Sequence, residues 1–142
     1  MPVGLSNRRQ FGWLMLSLLT VGCGASKTYP VKGRVTYSDG TPVTGGFIEL
    51  QAQEGTRVNA RGVIGADGTF VLGTHGDADG VPPGKYRALV RPLHARPGGK
   101  VTPGDPVPNV PIHPRYSSYE TSGLEFTVAP TANDFAVVVE KP

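Results

Sequence analysis

An all-β body is what this sequence predicts, in the form of a seven-stranded antiparallel β-sandwich. Three observations carry that expectation. From Val31 onward, apolar and polar residues alternate with period two in short runs, as strands with one buried face require. The 20 glycines and 14 prolines cluster between those runs, so they read as turns and not as a low-complexity tract. No stretch past residue 30 keeps a helical period over a useful length, and many short strands without helices indicate two packed sheets.

In the first strand Val31, Gly33, Val35 and Tyr37 oppose Lys32, Arg34, Thr36 and Ser38. Asp39-Gly40 and Gly45-Gly46 are turn signals before the second, where Ile48, Leu50 and Ala52 oppose Glu49, Gln51 and Gln53. Val58 to Ile64 and Thr69 to Leu72 are joined through Ala66-Asp67-Gly68, and Asp-Gly favours the positive φ angles of a tight hairpin. Tyr86, Ala88 and Val90 face away from Arg87 and Arg91 in the fifth strand. Leu124, Phe126 and Val128 make the sixth apolar face, and Phe135, Val137 and Val139 the last.

The segment before this body is of another kind. Residues 1–22 begin polar with Arg8 and Arg9, continue apolar from Phe11 to Val21, and end on Gly22 before Cys23. That is the layout of a secretory leader. At about 1.5 Å per residue the apolar run spans roughly half of a ~30 Å hydrocarbon core, too little for a permanent transmembrane helix. Val21-Gly22-Cys23 resembles the lipobox of bacterial lipoproteins, with Thr20 where leucine is usual. The resemblance implies that the Cys23 sulfur receives a diacylglycerol and that Cys23 becomes the acylated first residue. An ordinary leader with an incidental cysteine is the other reading. Asn7-Arg8-Arg9-Gln10-Phe11 also resembles a twin-arginine export signal, which leaves the route open. The expected organisation is a signal peptide over 1–22, a lipidated tether over 23–30 and a β-sandwich domain over 31–142.

Cys23 is the only cysteine, so no internal disulfide forms and the fold relies on packing. Arg8 and Arg9 belong to the leader, and the remaining chain carries 12 basic against 11 acidic residues. That near balance argues against nucleic acid as a partner, which needs a concentrated basic face. No cofactor-binding signature is present, and neither a Gly-x-Ser-x-Gly elbow nor a phosphate-binding loop occurs.

Tyr29-Pro30-Val31-Lys32-Gly33-Arg34-Val35-Thr36-Tyr37, then Asp39-Gly40-Thr41-Pro42-Val43 and Gly45-Gly46, resemble the opening of the carboxypeptidase regulatory-like, transthyretin-like domain. Ala66-Asp67-Gly68-Thr69-Phe70, Pro83-Gly84-Lys85-Tyr86 and Thr121-Ser122-Gly123-Leu124 extend the resemblance, which is strongest to small bacterial lipoproteins holding this domain alone. It implies a Greek-key, transthyretin-like sandwich and no established activity. A zinc carboxypeptidase needs His-x-x-Glu, whereas His75, His94 and His113 are followed three residues later by Ala78, Pro97 and Tyr116. The transthyretin-like urate-pathway hydrolase ends in Tyr-Arg-Gly-Ser, which Val139-Glu140-Lys141-Pro142 does not match.

Two segments stand out as candidate sites. His75-Gly76-Asp77-Ala78-Asp79-Gly80 offers an imidazole and two carboxylates. His75, Asp77 and Asp79 are therefore the candidate ligands for a divalent cation, although calcium takes about six to eight oxygens and a solvated turn explains the same residues. Pro92 to Pro114 holds seven prolines between two strands. A connection that long is functional or mobile, and Arg96, Lys100 and Arg115 are its candidate contacts to an envelope protein or an anionic polymer. The expected function is a non-catalytic, lipid-anchored interaction or structural module of the cell envelope, on the periplasmic side. Gly24 in place of aspartate after the cysteine leans toward the outer membrane. A small-ligand or cation-binding protein is the alternative, and a hydrolase without a linear motif the third reading.

Overall fold

A computed structural model of the chain describes residues 26–55, 58–92 and 110–142. Strands form where the alternation places them: β1 Val31–Tyr37, β2 Gly46–Ala52, β3 Asn59–Ile64, β4 Thr69–Val71, β5 Gly84–Arg91, β6 Leu124–Val128 and β7 Asn133–Val139. The one helical feature among the described residues is a 3₁₀ turn at Pro114–Ser117. The strands build two sheets, ordered β4-β1-β7 and β3-β2-β5-β6. Their inner faces share one core in which Val31, Val35, Ile48, Leu50, Val90 and Val137 are buried, while Lys32, Arg34 and Arg61 on the outer faces stay exposed.

The antiparallel expectation needs one correction, because β1 and β7 pair in parallel, from Val31 beside Asn133 to Tyr37 beside Val139. Each connection reverses the chain, so odd-numbered strands run one way and even-numbered strands the other. Closing the small sheet sets strands one and seven side by side, and both are odd. All other ladders join an odd strand to an even one and are antiparallel.

The Asp-Gly turn also differs from its expected form. Gly68 alone takes a positive φ, 82°, while Asp67 uses its carboxylate to accept the Thr69 amide at 3.1 Å and its hydroxyl at 2.6 Å. The turn is closed by Gly68 N–H donating to the Gly65 carbonyl at 3.0 Å. The two strands belong to different sheets, β3 to the four-stranded one and β4 to the three-stranded one, and stay linked by the bridge between Arg61 and Gly73.

The alternation of direction gives the body two poles. Residues 26–30, 53–55, 72–83 and 129–132 lie at the pole where β1 begins, and residues 38–45, 65–68 and 140–142 at the pole where it ends. Both described ends of the β5–β6 connection reach this second pole, where the His113 amide donates to the Glu140 carbonyl at 2.9 Å. Seven-residue strands at about 3.3 Å per residue set the poles roughly 20 Å apart.

Candidate functional site

At the first pole the chain enters the body earlier than the boundary at Val31. Thr28 Oγ1 donates to the Asp79 carbonyl at 2.7 Å. Tyr29 and Val81 exchange two backbone hydrogen bonds of 2.9 Å, and the Asn133 amide reaches the Pro30 carbonyl at 2.9 Å. Thr28, Tyr29 and Pro30 are thus part of the folded body rather than of a free tether. Only residues 24–27 separate Cys23 from Thr28, a Cα–Cα reach of about 17 Å when fully extended. Cys23 itself lies outside the described residues.

The His75–Gly80 loop sits beside this entry. Its organiser is Asp79, whose carboxylate accepts the amides of Thr74 at 2.6 Å, His75 at 3.0 Å and Gly76 at 3.0 Å. Gly73 makes the fold of the loop possible, since a Cβ there would overlap the Gly76 carbonyl oxygen. Ala78 is held at φ 61°, a left-handed conformation uncommon outside glycine. His75 Nδ1 stands 4.0 Å from Asp79 Oδ2 and its side chain is largely exposed. Asp79 therefore caps backbone amides, and among the described residues no group of three or more His, Cys, Asp or Glu side chains is placed to hold a metal.

The hydrogen bonds that Asp79 accepts, from Thr74 first, hold its carboxyl below the usual range. Asp67 is lowered by Thr69 in the same way, and Asp39 by Thr41 and Lys141. The unfolded chain takes up protons at about pH 4, the folded one only at lower pH. The stability these bonds confer is complete above the unfolded values and is lost as pH falls through the depressed folded ones. The melting temperature should hold from pH 7 to 5 and decline below about pH 4. A calorimetric series that stayed flat to pH 2.5 would contradict this role for the aspartates.

At the second pole Arg115 is already engaged. Its Nη2 donates to the Tyr116 hydroxyl at 3.0 Å, its Nη1 lies 3.8 Å from Glu140 Oε2, and its Cζ sits 4.7 Å over the Tyr116 ring. It fastens the end of the connection to β7 while leaving about half of its side chain exposed. Arg96 and Lys100 lie outside the described residues.

A further concavity is not signalled by any motif of the sequence. A cleft of about 710 Å³ lies over β3 and β4, with Phe47, Val63 and Val71 as apolar lining, Arg61 on one side and residues 75–78 as a wall. Phe47 and Arg61 also border a second cleft, of about 480 Å³, with Glu49, Arg91, Pro92 and Ser117. The available signal was Val63 and Val71 themselves, apolar residues at positions where strand alternation puts polar ones. The chain matches no protein-family model, no curated protein and no solved structure. Among the described residues no helix is long and apolar enough to cross a membrane.

Proposed function

We propose that the chain is a non-catalytic, lipid-anchored module of the bacterial cell envelope, fastened through an acylated Cys23 and built as a Greek-key, transthyretin-like sandwich of the carboxypeptidase regulatory-like kind. Sheet orders that interleave strands distant in sequence support the Greek-key reading. The observation that carries the functional reading is the opposition of the two poles. Thr28 to Pro30 are docked at one end, and both described ends of the proline-rich connection meet β7 or β5 at the other.

A short lead from a lipidated Cys23 keeps the first pole within about 17 Å of the headgroups and turns the second outward. The outward pole then presents the segment carrying Arg96, Lys100 and Arg115 to an envelope protein or an anionic polymer. The acylated chain in liposomes with nitroxide-bearing headgroups tests this orientation. Amide signals of Lys85 and Thr131 should broaden strongly while those of Asp39 and Thr41 keep their intensity. Broadening at Asp39 and Thr41 with Lys85 and Thr131 spared would refute it.

A further inference from the structure

We propose that the cleft over β3 and β4 binds a small ligand with an apolar body and one carboxylate. This goes beyond the anchoring role and does not depend on it. The volume, about 710 Å³, falls in the range of small-molecule sites, which are mostly apolar with a few placed polar groups. β3 and β4 are edge strands of different sheets, bridged at Arg61 and Gly73 and held together again where the Gly65 amide donates to the Thr69 carbonyl at 2.8 Å, so the cleft lies over this pair of strands, between Phe47 and the wall at residues 75–78.

The apolar component is concentrated. Val63 is 65% exposed and Val71 49%, and both line this cleft together with Phe47. Isolated exposed valines are ordinary, but two beside an aromatic ring in one concavity form a patch with a use. The cation is Arg61. Its Cζ stacks 4.3 Å from the Phe47 ring centroid, and its Nε lies 3.9 Å from Glu49 Oε1. Stacking on Phe47 and the approach to Glu49 restrict the guanidinium, while its side chain remains 60% exposed. A guanidinium has five N–H donors in a fork that matches a carboxylate. Asp77 is the one acidic side chain in the lining, so a second anionic group on the ligand would meet a like charge there.

The wall is fixed in advance. Asp79 pins the amides of Thr74, His75 and Gly76, which reduces the ordering cost of binding. An added peptide strand does not fit between β3 and β4. A Cβ on Gly62 would lie 2.5 Å from the Val71 carbonyl oxygen, so the backbones are already neighbours, whereas an inserted strand needs about 4.8 Å on each side.

Phenylacetate and its neutral counterpart phenylacetamide, titrated into the full-length chain in nanodiscs, test the proposal by amide NMR. Phenylacetate should produce saturable shifts centred on Gly62, Val63, Val71 and Ala78, and phenylacetamide should bind at least tenfold more weakly. Arg61→Met should cost phenylacetate a similar factor and leave phenylacetamide unaffected. Equal binding of the acid and the amide by the native chain, or shifts that do not saturate or lie elsewhere, would overturn it whatever the variant does.

Discussion

In a Gly33→Ala variant the melting temperature should fall by about 10 °C. Gly33 sits inside β1, and a Cβ there would overlap the Phe135 carbonyl oxygen and lie 2.6 Å from Phe70 Cζ. Neither neighbour can yield easily. The oxygen belongs to the backbone of β7, whose parallel ladder with β1 holds the small sheet together, and Phe70 is 97% buried in the core, with 3% of its surface exposed. Overpacking of a filled core costs about 1–3 kcal/mol, and a clash with backbone falls at the upper end. For a body of this size ~3 kcal/mol corresponds to roughly 10 °C. Differential scanning calorimetry checks the value. An unchanged melting temperature would mean that the β1–β7 approach is looser than described.

Cys23→Ser should abolish incorporation of radiolabelled palmitate and leave a chain heavier by its 22-residue leader. The serine oxygen does not replace the sulfur as acyl acceptor, and cleavage in the lipoprotein pathway follows that modification. The energetic consequence is large. Two acyl chains burying roughly 30 CH₂ groups at about 0.8 kcal/mol each hold a protein firmly, where one chain gives only reversible binding. Among the described residues, Val63, Val71 and Val138 are the exposed large aliphatic side chains. Label retained in the serine variant, or a chain of unaltered size, would contradict lipidation at Cys23.

What the sequence disclosed follows from the range of the interactions involved. Period-two alternation is local, so Val31 to Tyr37 and Ile48 to Ala52 were legible as strands with one buried face. Leu89 was not legible as buried, because alternation puts it on the face of β5 opposite Tyr86, Ala88 and Val90, and its burial depends on chain packed against that strand from elsewhere, where the 3₁₀ turn is a neighbour. Pairing direction was equally hidden, since β1 and β7 meet only after about a hundred intervening residues have doubled back. The loop at His75 to Gly80 announced itself through its composition. Its chemistry could not be read, because whether Asp79 faces a cation or its own backbone depends on how tightly Gly73 lets the loop close. The cleft at Arg61 and Phe47 depends on β2, β3, β4 and residues 75–78 coming together, and no single strand carries that information.

The anchor remains the claim on which the orientation of the body depends. Intact mass spectrometry of the protein extracted from its membrane addresses it directly. The account predicts a polypeptide beginning at Cys23 and heavier than its residues by a diacylglyceryl group with or without a further acyl chain. A mature chain with an unmodified thiol, or one beginning at another residue, would contradict it.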